Sequence, residues 1–161
     1  MAQHVDLLVE YRRGRPIVET VHAESLGNGH YKLLHSPGLV QGIAAGDEFR
    51  FTDANGAFEV LSRAGNIVVQ LYANAGVEPF AAELGSSVRA LGGTLDGRVA
   101  RGMVFSIPVG VGFEAIEGLF NSFVADKPGV QWAYGNVYAD AEGRVPLNWW
   151  NAGRTKDTNS K

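Results

Sequence analysis

Between residues 5 and 12 the chain alternates: Val5, Leu7, Val9 and Tyr11 are apolar or aromatic, Asp6, Glu10 and Arg12 are charged, and Leu8 is out of phase. A period of two sends successive side chains to opposite faces, so the stretch predicts a half-buried β-strand. Gly14 and Pro16 interrupt it, and a second strand is predicted from Ile17 toward Glu24. Gly27-Asn28-Gly29 holds residues that tolerate positive φ, which predicts a reversal into a strand over residues 30–34 that ends at Pro37-Gly38. Gly46-Asp47 opens a run in which Phe49 and Phe51 alternate with Glu48, Arg50 and Thr52, and Asn55-Gly56 is a hairpin turn that returns it through Phe58 to Leu61. Five short strands with tight turns predict a small, strongly bent SH3-like β-barrel over residues 1–65.

The second half changes rhythm. Residues 67–72 read as a strand, and Pro79 sits where a first helical position belongs. Phe80, Leu84, Val88 and Leu91 follow at helical spacing, closed by Gly92-Gly93. Residues 94–100 and 103–107 read as two strands joined by a tight turn. A second helix carries Phe113, Ile116, Leu119, Phe120 and Phe123 on one stripe and stops at Lys127-Pro128-Gly129, and residues 131–139 form a last strand. That order corresponds to the ferredoxin-like, βαββαβ, unit. The predicted fold class is α+β: an N-terminal SH3-like β-barrel (1–65) packed on a C-terminal ferredoxin-like unit (66–140), followed by a polar tail (141–161) anchored by Trp149-Trp150.

Composition narrows the function classes. Of 161 residues, 45% are hydrophobic and 19% charged, the balance of a folded domain. With no cysteine there are no disulfides, thiolate metal ligands or thiol nucleophiles, which fits a reducing compartment. A formal charge of -3 argues against a dedicated nucleic-acid binder. The opening residues lack the basic start and apolar run of a signal peptide, and no apolar run approaches the roughly 20 residues needed to span a bilayer. The expectation is a cytoplasmic protein with no membrane association.

At Ala23-Glu24-Ser25-Leu26-Gly27-Asn28-Gly29-His30-Tyr31-Lys32-Leu33, with Ser36-Pro37, Gly42-Ile43 and Gly46-Asp47, the chain resembles a bacterial domain-of-unknown-function family. The family pattern is an Ala-Glu pair, Leu-Gly-x-Gly-x-Tyr-x-Leu, a proline and a Gly-Asp that opens a strand. Arg63-Ala64-Gly65-Asn66 stands where that family usually has Arg-Ser-Gly-His. His22 replaces a common tryptophan, and Gly38-Leu39 replace aromatics. The shared positions are mostly turn glycines and apolar core residues, so the resemblance, over residues 5–140, implies architecture and carries no activity.

Several stretches match chemical motifs in part. Gly110-Val111-Gly112-Phe113-Glu114-Ala115 meets the loose dinucleotide fingerprint, but too few elements follow it to complete a nucleotide-binding half. Arg101-Gly102-Met103-Val104-Phe105 partly matches an RNA-recognition strand, with Met103 in a stacking position. His4, His22, His30 and His35 show no metal-ligand spacing, and Ser36, Ser86 and Ser87 occupy no nucleophile elbow. No catalytic residue, metal or cofactor is assigned.

The last strand carries the functional expectation. Trp132, Tyr134 and Tyr138 alternate with Ala133, Gly135, Val137 and Ala139, so the rings share one face. Small residues would admit the helices on the other face, leaving three large rings on the open side as a protein-binding surface rimmed by Asp140 and Glu142. The function expected is a non-enzymatic binding protein, specifically a bacterial immunity protein that neutralises a secreted toxin domain by direct binding. The alternatives are a small-ligand sensor for an amino acid or nucleotide, and an enzyme with residues assembled from both halves. No oligomeric state follows from the residues.

Overall fold

In the computed structural model, which describes residues 2–140 and 142–151, β1 (Ala2–Arg12) and β2 (Arg15–Gly27) form a long antiparallel hairpin. β3 (His30–Leu33), β4 (Glu48–Phe51) and β5 (Phe58–Ser62) continue it as a meander, giving a five-stranded antiparallel sheet in sequential order. Its inner face buries Leu7, Val21, Ala23, Leu33 and Phe49, and the loop between β3 and β4 adds Val40 and Ile43 to the same core. Tyr31, Phe51 and Phe58 pack around Phe49 with ring centroids 5.6–6.1 Å apart.

The rest of the chain builds a second sheet. β6 (Asn66–Ala73) is followed by α1 (Ala81–Ala90), β7 (Thr94–Val99), β8 (Gly102–Pro108), α2 (Phe113–Val124) and β9 (Val130–Tyr134), with spatial order β7-β8-β6-β9, all antiparallel. Both helices lie on one face, where Leu84, Val88, Ile116 and Phe120 meet Ile67, Val69, Leu71, Met103, Phe105 and Ile107. The intervening residues Val68 and Val104 point the other way and pack on Ala44 from the loop before β4.

The expected SH3-like barrel on a ferredoxin-like βαββαβ unit is corrected by this arrangement. The molecule is mostly β, two open antiparallel sheets of five and four strands with two helices. The first sheet does not close because no ladder joins β1 to β5; the Leu8 N–H, bonded to Gly56 O at 2.9 Å, and the Asn55 amide, donating to the Tyr11 hydroxyl at 3.3 Å, bridge that gap. The second sheet is not a self-contained unit, since helices cover one face and the first half covers part of the other. Its last strand stops at Tyr134 rather than near 139: the Asn136 side chain takes over, accepting from Val68 N–H (2.8 Å) and donating to Asn66 O (2.7 Å). Residues 1, 141 and 152–161 of the expected N-terminal subdomain and tail lie outside the described residues.

Candidate functional site

The two sheets are joined by buried polar groups. Asp47, 1% exposed, accepts from the N–H groups of Ala44 (3.0 Å) and Ala64 (2.9 Å) and pairs with Arg63 (3.4 Å). Arg63 also donates to Gly42 O at 2.8 Å, and its guanidinium lies 5.6 Å from the centroid of Trp149. Burial is the largest influence on both groups. It pushes the Asp47 carboxyl up, outweighing the two N–H groups and Arg63, and pushes Arg63 down against the pull of Asp47. Gly46 precedes the aspartate at φ 88°, where a Cβ would stand 2.6 Å from that of Ala64. A second cluster lies nearby. Asp96 accepts from Ser36 N–H (2.7 Å), Ser106 Oγ (2.6 Å) and Thr94 Oγ1 (2.9 Å). Since Ser106 donates to Asp96, the proton shared with Ser36 Oγ at 2.6 Å comes from Ser36, which in turn accepts from Ala45 N–H.

The face of the second sheet opposite the helices is only half covered. The 36–45 segment lies over one end, where Gly42 N–H donates to Gly135 O (2.7 Å) and Gln70 Nε2 to Pro37 O (3.0 Å). Beyond it a cleft of about 810 Å³ opens between the sheets. Gln70, Tyr72, Val104 and Ala133 form its floor, residues 19–22 of β2 and the 35–39 loop its wall, and Arg101 in the β7–β8 turn lies at its open end. Glu19 shapes the wall by accepting from the N–H groups of Gly38, Leu39 and Val40 at 2.8–2.9 Å. Around the cleft Tyr72 is 48% exposed, Leu39 63% and Val99 69%.

A family model described as a domain of unknown function, DUF4265, matches residues 19–132, from the middle of β2 to the middle of β9. The chain belongs to the DUF4265 family. The match takes in the Asp47–Arg63 junction and the cleft. No curated protein matches this DUF4265 chain. A solved structure of a hypothetical protein from Neisseria gonorrhoeae resembles it with a TM-score of 0.66 at 12% identity, over 84% of this chain and 94% of the other, which is likeness of fold. The residues that carry the resemblance read from the sequence have structural tasks: Gly46-Asp47 and Arg63 make the junction, and Ala23 and Leu33 are core.

In the DUF4265 chain the aromatic face of the last strand is reversed from the expectation. Trp132 packs on Phe120 (5.4 Å) and donates from Nε1 to Asn121 on α2 (2.9 Å), and the Tyr134 hydroxyl donates to Glu117 on α2 (2.8 Å). Burial first, then the Glu117 acceptor, holds the Tyr134 phenol far above its usual range. Gly135 supplies the reason: a Cβ there would stand 2.7 Å from Val68 Cγ1, and its carbonyl receives the Gly42 N–H. The small-residue face admits the loop from the first half, so the rings face the helices. Tyr138 has left the strand and bridges to Pro146, and Asp140 accepts from Arg144 and Val145 N–H groups. Trp132, Tyr134, Tyr138, Asp140 and Glu142 nevertheless line one hollow of about 580 Å³ beside β9. Trp149 and Trp150 pack on the core of the second sheet, Trp149 donating to Asn136 O at 2.8 Å.

The other singled-out residues are placed as follows. Rings of His4, His22 and His35 meet in succession, the first pair tilted and the second edge-on, with centroids 4.4 and 5.8 Å apart, a grouping their spacing did not announce. Among the described residues no group of three or more His, Cys, Asp or Glu is arranged for a metal ion. Met103 and Phe105 are buried against the helices, and Val109–Val111 forms a short 3-10 turn that leads through Gly112 into α2. No helix of the described residues is long and apolar enough to cross a membrane. Sequence reasoning missed the cleft, whose lining comes from β2, a loop, the second sheet and a turn with no common motif.

Proposed function

We propose that this chain is a non-enzymatic binding protein that works through the cleft between its sheets, taking a small molecule in the cytoplasm. The observation that carries this reading is the uncovered half of the second sheet's outer face, where a space of about 810 Å³ is lined by apolar floor residues and by polar groups from both sheets. That volume falls within the roughly 300–1,000 Å³ typical of ligand sites. The groups suited to acid–base or nucleophilic work there, Asp96, Ser36 and Ser106, are already bonded to one another, which supports binding rather than turnover. The absence of cysteine supports the compartment.

A second reading has its own observation. Trp132, Tyr134, Tyr138, Asp140 and Glu142 share a hollow with an acidic rim, a surface suited to a basic protein partner such as a secreted toxin domain. The expected outward face of rings, on which the immunity role first rested, does not form, so this reading stands second.

Thermal shift with a bacterial metabolite fraction separates the two. A ligand at 100 times its Kd should add about 2.7 kcal/mol of stability. The gain should vanish with Thr20→Trp on the cleft wall and survive Ala139→Trp in the hollow. No shift, or one insensitive to Thr20→Trp, overturns the cleft reading. Stoichiometric capture of a protein, lost with Ala139→Trp, would favour the second.

A further inference from the structure

Resting on the cleft reading, we infer that its ligand is an amphipathic organic anion, with a carboxylate at the open end and an unbranched apolar body along the floor. The cleft's own carboxylates are occupied. Glu19 receives the N–H groups of Gly38, Leu39 and Val40, and Asp96 receives Ser36 N–H and the Ser106 and Thr94 hydroxyls. Their acceptor positions are thus taken up by neutral donors of the wall itself.

Unused donors gather at the other end. Strand register sets Tyr72 opposite Gly102 on one side and Gln131 on the other, with Arg101 next to Gly102 in the turn. Among the described residues the Tyr72 hydroxyl, the Gln131 amide and the Arg101 guanidinium have no hydrogen-bond or ion-pair partner, and all three residues are exposed and line the cleft. Arg98 differs, being paired with Glu78. The turn is held in place, with Ala73 N–H donating to Arg101 O and Val77 N–H to Ala100 O, both at 2.9 Å. A guanidinium carried on an anchored turn, with neighbouring neutral donors, matches a carboxylate, which accepts bidentate bonds from arginine.

The remainder of the lining suits an apolar chain. Val104 and Ala133 lie between the donor end and the Ser36–Asp96 cluster, with Leu39 exposed above them. From Gly102 to Val104, the β8 residues that line the cleft, the strand advances about 7 Å at the usual rise, which gives the apolar body a minimum length along the floor.

Isothermal titration of the full chain with octanoate, decanoate and dodecanoate below their aggregation concentrations tests this, with decanol and decylamine as head-group controls. The expected result is saturable binding of one carboxylate, competed by no amine, and weakened about tenfold by Arg101→Gln with the unliganded Tm unchanged. Equal binding of decanoate and decanol, or binding indifferent to Arg101→Gln, overturns the anionic-head inference and leaves the cleft reading standing. No alkyl probe binding while the metabolite fraction gives a Thr20→Trp-sensitive shift overturns the inference in the same way. Silence in both experiments overturns the cleft reading itself.

Discussion

Asp47 concentrates several structural tasks in one side chain. Its two oxygens meet the N–H groups of Ala44 and Ala64 and the Arg63 guanidinium, and so tie the loop before β4 to the segment entering β6. A buried pair of this kind adds little net stability against an apolar replacement of both partners, yet removing one partner strands the other. Asp47→Ala is therefore expected to cost about 3–5 kcal/mol, measured by urea unfolding. A loss below about 1 kcal/mol would mean that water replaces the carboxylate and that the junction is looser than described. The Gly-Asp pair was legible as a strand opening, whereas its second task depends on Arg63 and Ala64 arriving from a distant part of the chain.

At the scale of elements, alternation located strands well and assigned faces badly. Val5, Leu7 and Val9 read correctly as one face because a single buried face exists there. The alternation of Trp132 and Tyr134 points them to the wrong side because the second sheet is covered by helices on one face and partly by the first half on the other, and period two says only that two faces differ. The turn after β9 offers a test at this scale. Asp140 is drawn below its ordinary 3.8 chiefly by the Val145 N–H, so its contribution is present above that value and lost as pH falls through the lower folded value. Asp47 is shifted upward, so its own contribution is fully present below 3.8 and declines as pH rises through its folded value. In an NMR acid titration the Ala64 amide proton should respond first, as Asp47 takes up its proton above 3.8, and the Val145 amide proton should move upfield only below that value, when Asp140 is protonated. A Val145 response ahead of that of Ala64 would reverse this assignment.

For the whole molecule the decisive feature is that neither sheet is complete alone. The loop before β4 supplies Val40 and Ile43 to one core and Ala44 to the other, and the Ser36–Ser106–Asp96 cluster bonds the halves across buried ground. Unfolding should accordingly be one cooperative transition. All three tryptophans, Trp132, Trp149 and Trp150, lie in the second half, so their fluorescence reports that half. Its urea midpoint should coincide with that of the Tyr31 and His22 NMR signals from the first sheet. Separate midpoints would show two independent subdomains.

Local rules by themselves determined the strands, the helices and the turns, because apolar periodicity and turn glycines act over a few neighbouring residues. The family resemblance, rather than periodicity, singles out Gly46-Asp47 and Arg63. Only the tertiary structure decided that the sheets stay open, that the Trp132 ring lies against α2, and that Tyr72, Arg101 and Gln131 meet at the mouth of a cleft. Those outcomes depend on which distant surface covers each face, and that follows from packing the whole chain at once.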